Sequence, residues 1–371
     1  MRVNSLKLVN YRNYQELELA FQPALNIFIG CNAQGKTNIL EAVYYAACGS
    51  SFRGNSDGEL IKWNADGGSI SLGFSRLEVA NQLDFAFRRD KRRTIVYNGQ
   101  KIPLRELIGA FNVVLFAPDD LLLIKGAPAG RRKFLDMEIS QGSPAYFREL
   151  FTYNRLLQQR NSLLKEIREG KSKAGMLEFW NPQLAASAAK ITAKRLEAVQ
   201  KFNMLANLMQ RRISGNEENL SLSYQIKGME NGQLAENMEI WYNEMLHGLN
   251  NEEIYRGVTC VGPHRDDIIV SVNGINLKSF GSQGQQRTAV LSMKLSELEF
   301  IRSETGEYPV LLLDDVMSEL DAGRRQQLLN FIEREGIQTL ITATDEAYFQ
   351  QAPLKTYFQV EAGQVKVVNK V

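Results

Sequence analysis

Eight consecutive residues, Gly30-Cys31-Asn32-Ala33-Gln34-Gly35-Lys36-Thr37, have the types and spacing of a phosphate cradle. An apolar run, Leu25-Asn26-Ile27-Phe28-Ile29, leads into them, and Asn38-Ile39-Leu40-Glu41-Ala42-Val43 continues with helical character. Strand, glycine-bounded loop and helix is the setting in which such a loop works. Gly30 and Gly35 open backbone conformations closed to residues with a Cβ. Successive N–H groups and the helix N-terminus then converge on an anion. The Lys36 ammonium neutralises β- and γ-phosphates, and the Thr37 hydroxyl holds Mg²⁺. The expected ligand is a nucleoside triphosphate.

A second stretch supplies the acids that chemistry on a triphosphate needs. Pro309-Val310-Leu311-Leu312-Leu313-Asp314-Asp315-Val316 reads as a buried parallel strand with carboxylates at its C-terminal end. Ligands of open α/β sheets bind at that edge. Asp314 is expected in the Mg²⁺ shell, and Asp315 is expected to orient or deprotonate the attacking water. A third stretch, Phe280-Gly281-Ser282-Gln283-Gly284-Gln285-Gln286-Arg287, is a serine–glycine turn at a helix N-terminus. Ser282, Gly284 and Gln285 are candidate anion contacts, although in isolation the turn reads as an ordinary cap.

Cations outside these stretches have two readings each. Arg12, in the turn 10–14, is either a surface residue or a neighbour of the bound nucleotide. Arg88-Arg89-Asp90-Lys91-Arg92-Arg93 sets five cations around one acid. Arg88, Arg89, Arg92 and Arg93 are there either a solvated hairpin tip or contacts to a DNA backbone.

The elements that must position these residues follow from periodicity. Two strands flank the turn 10–14. After the loop helix, strand-like pieces run over 69–74, 76–80, 83–87 and 94–97, with Asn98-Gly99 as a hairpin turn. A buried strand begins at Val113 and stops at Pro118. From Pro144, apolar spacing predicts one amphipathic helix, and a second carries Leu184, Ala188, Ile191, Val199 and Phe202, with Pro182 setting its start or a kink. Strands at 220–226, 258–261 and 268–272 and a helix over 233–250 complete the reading. The 371 residues are 44% hydrophobic and 23% charged, enough for a substantial core. A formal net charge of +2 means that any nucleic-acid surface is local. Cys31, Cys48 and Cys260 lack metal-ligand spacing and suit a reducing compartment. No run approaches about 18 apolar residues. A soluble, cytoplasmic protein without membrane contact is expected.

Taken together, the stretches resemble the ATPase head shared by ABC transporters and SMC-type DNA-repair proteins. Residues 30–37 are similar to its Walker A motif and 311–315 to Walker B. Ser282-Gln283-Gly284-Gln285-Gln286 is similar to the signature motif, Ser318-Glu319-Leu320-Asp321 to the D-loop, and Thr344-Asp345 follows a strand where a switch residue is expected. Asn10-Tyr11-Arg12-Asn13-Tyr14, Phe116-Ala117-Pro118-Asp119-Asp120-Leu121 and Gly262-Pro263-His264-Arg265-Asp266-Asp267 narrow the resemblance to the RecF-type recombination-repair family, over nearly the whole chain. It implies an α/β ABC/SMC-type head, with an ATPase lobe of residues 1–117 and 256–371 and a helical insertion, 118–255. It also implies ATP with Mg²⁺, an ATP-dependent homodimer whose signature turn completes the partner's site, and binding to duplex DNA and single-strand/duplex junctions near gaps. Implied partners are RecR and RecO, with RecA loaded indirectly, in repair, replication and the SOS response. Asp315 stands where the wider superfamily carries glutamate, which suggests slow hydrolysis. No glutamine near 116–120 matches the Q-loop, and His264 is not placed in the catalytic set. The rivals are an ATP-binding clamp without useful turnover and a metabolic P-loop kinase.

Overall fold

The computed structural model describes residues 1–54, 56–229, 235–349 and 354–368. The chain forms two compact units: Met1–Asp120 with Lys294–Val371, and Leu121–Met293.

The first unit is built on two six-stranded sheets. One is antiparallel, in the order Tyr14–Ala20, Arg2–Tyr11, Gly67–Arg76, Val79–Arg88, Lys91–Tyr97, Gln100–Lys101. Its strands alternate, so that Leu6 and Leu8 are buried while Lys7 is exposed. The other sheet has the order Gln364–Val368, Lys355–Glu361, Leu25–Ile29, Thr339–Ala343, Val310–Asp314, Val113–Phe116. Its central strands Leu25–Ile29, Thr339–Ala343 and Val310–Asp314 are parallel and buried at every residue, which is why they read as mostly apolar runs. Asp314 stands opposite Thr342, and Thr342 opposite Phe28, one residue before Ile29 and the loop. The phosphate-type loop and the acidic pair therefore share one sheet edge.

The second unit sets a three-stranded antiparallel sheet, Ile275–Asn276, Asp267–Val272 and Leu220–Gln225, with the helices Pro128–Gly142, Pro144–Arg168 and Leu177–Ile213. The last two form the expected helical hairpin, with Leu163, Leu164 and Leu177 in a common cluster. Pro182 lies inside the second helix, not at its start. Fully buried Arg160 donates to Asn181, Thr259 and Glu253 at 2.9, 2.8 and 2.6 Å. Breaking such a pair from one side strands the other charge, at a cost of roughly 3–5 kcal/mol.

Several boundaries differ from the sequence reading. The second unit returns to the first at Lys294 and not at residue 256, because Asp267–Val272 pairs with Leu220–Gln225 and takes the chain with it. Residues 76–80 are not a separate strand. Leu77 and Glu78, at φ 47° and 65°, make a two-residue turn between two ten-residue strands, with none of the glycine that marks such turns. Residues 258–261 are no strand either, since their backbone groups bond side chains: Thr259 N–H donates to Asn161, Cys260 N–H to Glu253, and His264 and Arg265 engage the Thr259 carbonyl. The helix expected over 233–250 is Met238–Gly248, followed by Asn250–Arg256; Gln233 lies outside the described residues.

Candidate functional site

Helix Lys36–Cys48 starts directly from Gly35, whose φ of 114° is open to glycine alone without strain. A Cβ there would also meet Asn13 at 2.5 Å and the Tyr14 hydroxyl at 2.7 Å. One on Gly30 would meet the Val360 carbonyl at 2.3 Å. Both glycines thus let neighbouring chain close on the loop. That packing fixes its shape: Asn13 Nδ2 donates to the Gln34 carbonyl at 3.0 Å, and the Tyr14 hydroxyl to the Gly35 carbonyl at 3.0 Å. From the C-terminal hairpin, Ala362 N–H donates to Gln34 Oε1 at 2.6 Å. Cys31, Asn32 and Ala33 stay exposed, Ala33 with φ 65°.

Lys36 is buried, its Nζ donating to the Gly30 carbonyl at 2.5 Å and the Cys31 carbonyl at 2.9 Å. Burial pushes its pKa down, while Asp315, Cys31 and Asp314 pull it back up. The ammonium lies within the fold of the loop, where phosphate oxygens can replace the two carbonyls.

Three elements meet on Asp314. The Thr37 hydroxyl, from the first turn of the loop helix, donates to Asp314 Oδ1 at 2.8 Å. The Thr342 hydroxyl, from the neighbouring strand, donates to the same oxygen at 2.8 Å and accepts from Asp315 N–H at 2.9 Å. One buried threonine thus fixes both acids. A hydroxyl and a carboxylate are hard oxygen donors, and Mg²⁺ characteristically takes one or two such groups and fills its octahedron with phosphate and water oxygens. Among the described residues no group of three or more His, Cys, Asp or Glu is gathered as an all-protein metal cage. Thr37 and Asp314 fit Mg²⁺; bound there, it would neutralise charge on the β- and γ-phosphates.

Asp315 follows in the left-handed region at φ 54°, a conformation that costs a non-glycine residue of order 1–3 kcal/mol. Burial raises its pKa, Lys36 opposes this and Asp314 adds to it. A carboxylate with raised proton affinity suits a base. Beyond it, the Ser318 hydroxyl donates to the Asp315 carbonyl at 2.8 Å, and Asp321 caps helix Ala322–Glu335. Thr344 is exposed just past the strand.

The remaining candidates separate. Arg12, φ 51°, donates to both carboxylate oxygens of fully buried Glu41, at 2.8 and 2.5 Å, and to the Glu59 carbonyl. It braces the loop helix. In the second unit, Ser282 and Gln285 exchange hydrogen bonds: Gln285 N–H to Ser282 Oγ at 3.2 Å, Ser282 N–H to Gln285 Oε1 at 3.1 Å. This capping box opens helix Gln283–Thr305 and leaves Ser282 and Gly284 exposed. In the basic run, Arg88 and Arg92 are exposed, and Arg89 donates to the Ala65 carbonyl. Arg93 does not share the tip: its guanidinium bonds Tyr45 and Asp57 and packs over the Tyr45 ring. Asp120, at the position where a Q-loop was sought, accepts from Ala117 N–H and lies 3.5 Å from Lys294. His264 lies in the turn 262–265 with its ring half-buried. Its Nε2 bonds the Thr259 carbonyl and must donate, so Nδ1 accepts from Tyr153.

Sequence reasoning missed Thr342, Asn13 and Tyr14 as site residues.

The family model described as RecF/RecN/SMC N terminal domain matches residues 2–368. The chain is similar to the "DNA replication and repair protein RecF" of Halothermothrix orenii, 45% identical over 93% of this chain and 92% of the relative. The protein of the same name from Listeria monocytogenes is 42% identical over 99% and 100%. Among solved structures, the "recombination mediator protein RecF-ATP in RecFOR pathway" matches with TM-score 0.92 and 34% identity over 99% and 98% of the two chains. An Smc head bound to a ScpA winged-helix domain, 15% identical with TM-score 0.57 over 99% and 97%, shares the fold. From the phosphate-type loop to the capped signature turn, this chain belongs to the RecF family, in the RecF/RecN/SMC N-terminal domain group.

Proposed function

We propose that the chain is an ATP-driven switch of recombinational DNA repair and replication. The observation that carries the reading is the single Asp314 oxygen holding the hydroxyls of both Thr37 and Thr342 at 2.8 Å, with Asp315 fixed by the same Thr342. That arrangement supports ATP·Mg²⁺ on Gly30, Cys31, Asn32, Ala33, Gln34, Gly35, Lys36 and Thr37, with Asp314 at the metal and Asp315 orienting water. The relatives named for DNA replication and repair, and the RecF structure solved with ATP, support the same role.

In this reading two chains close face to face. The exposed Ser282 turn of each meets the γ-phosphate held by the other, where a helix N-terminus favours negative charge. Nucleotide state then sets residence on DNA near single-strand gaps, where the dimer helps RecO and RecR load RecA and supports SOS induction in the cytoplasm. Hydrolysis is slow, because the short Asp315 arm stands on a constrained backbone. That same observation favours a second reading, an ATP-bound clamp without useful turnover.

Light scattering with ATP, ADP or no nucleotide, each with and without duplex DNA, tests the switch. A dimer is expected with ATP and a monomer otherwise; a state indifferent to nucleotide would sink it. Multiple-turnover phosphate release, stimulated by DNA, separates the switch from the inert clamp.

A further inference from the structure

Within Leu121–Met293 lies a cleft of about 350 Å³ between helices Pro128–Gly142 and Pro144–Arg168, with Arg195 and His264 in its wall. Its volume is at the lower end of small-ligand sites, roughly 300–1,000 Å³.

Charge in the cleft is not balanced by its own residues. Asp136 is engaged by Arg195, which donates to both its oxygens at 2.7 and 3.0 Å, and by the Tyr146 hydroxyl. Asp266 accepts from Tyr224 and Lys227 N–H, and Asp267 is held by Arg131 at 2.7 and 2.8 Å. What remains is Arg132, donating to the neutral Asp266 carbonyl, and exposed Lys133, which has no hydrogen bond or ion pair among the described residues. Burial, then the neighbouring Arg195, lowers the Arg132 pKa, with Asp267 and Asp266 acting against them.

A second observation points the same way. Ser140, only 2% exposed, lines the cleft, and its Oγ has no hydrogen-bond partner. A buried hydroxyl without a partner is uncommon and calls for one. The lining also includes apolar Met137, Phe147 and Leu150. His264, held neutral between Tyr153 and Thr259, adds no competing charge.

We propose that this cleft is a second nucleotide site, in which Arg132, Lys133 and Ser140 bind a phosphate and Met137, Phe147 and Leu150 hold the sugar and base. A phosphorylated strand end and a free nucleotide share this chemistry. Every residue involved lies in the second unit, so the site does not depend on the 30–37 loop.

Hydrogen exchange on the full chain locates the binding. The probes are a short single-stranded oligonucleotide with a 5′-phosphate, the same strand with a 5′-hydroxyl, dTMP, and inorganic phosphate. The phosphorylated strand or dTMP should slow exchange over 128–154, the 5′-hydroxyl strand at least tenfold less effectively. Protection by dTMP at equal concentration assigns free nucleotide as the source, and protection by the phosphorylated strand alone assigns the strand end. Lys133→Glu, at an exposed position that leaves the fold intact, should remove the preference for phosphate; Arg132→Gln should do likewise. Exchange over 30–48 reports the first site separately. Unchanged exchange over 128–154 with every probe overturns the proposal. So does a phosphate preference that survives Lys133→Glu, or protection by inorganic phosphate without dTMP.

Discussion

At the scale of single residues, the site turns on Thr342 more than on any residue the motifs advertise. Its hydroxyl both orients Asp314 and holds the Asp315 backbone. Thr342→Val keeps the shape and removes both bonds, leaving a buried carboxylate short of a donor, a loss of about 1–3 kcal/mol. ATP turnover should fall at least tenfold, with a higher Mg²⁺ requirement, read from phosphate release across a Mg²⁺ titration. Normal turnover would make Thr342 a packing residue. The loop, Asp314 and Asp315 were legible in the sequence because each sits where one element hands over to another, and such junctions leave short motifs. Thr342 was not, because a partner across a parallel ladder lies far along the chain and its register has no local signature. Arg12 stayed ambiguous for a related reason: Glu41, its partner, reads as one more helical residue until the fold brings the two together.

At the scale of elements, the basic hairpin and the half-buried histidine both separate structure from chemistry. Charge reversal at Arg88 and Arg92 should weaken DNA binding and flatten the salt dependence by about one unit per lost contact. Arg93→Ala should instead destabilise the first unit by roughly 1–2 kcal/mol, since its guanidinium is tied to Asp57 and Tyr45. Denaturant midpoints and anisotropy at several salt concentrations check the pair; equal DNA effects for all three arginines would contradict the division. His264 makes a pH prediction. Burial holds its folded-state pKa down at about 4, against an ordinary 6.5 in the unfolded chain. Between those values the unfolded state binds the extra proton, so stability rises with pH and is lost on acidification. About 2 kcal/mol should go between pH 7 and pH 5, and a His264→Gln variant should lose less. Urea unfolding at the two pH values measures the difference. The helical hairpin and most of the strands were legible from period, but the break at Leu77–Glu78 was not, since it lacks the glycine that marks such turns. The segment 258–261 was not, because its apolar residues mimic a strand whose hydrogen bonds go to side chains.

At the scale of the whole molecule, the capped Ser282 turn tests assembly. Ser282→Arg should bind ATP as a monomer yet neither dimerise nor hydrolyse. Mixed with Lys36→Met it should regain some turnover, because the hybrid pairs one intact loop with one intact signature. Equilibrium nucleotide binding, scattering and phosphate release on the mixture measure this; loss of ATP binding by the single variant would place the turn in cis. The division into two units was legible in outline. Its return point at Lys294 was not, since only strand pairing reveals how much chain Asp267–Val272 takes with it. One feature of the central sheet reaches back to the birth of the protein. Strand Leu25–Ile29 lies between Thr339–Ala343 and Lys355–Glu361, and Thr37 meets Asp314 across 277 residues of chain. On the ribosome that strand is made early and waits for both neighbours, while the 121–293 unit already has all of its own sequence. Such remote pairing is slow to close, and an unpaired apolar strand invites the wrong neighbour. Nascent chains therefore pass through an interval in which the inserted unit can fold and the ATPase sheet cannot, an interval in which a chaperone has most to do.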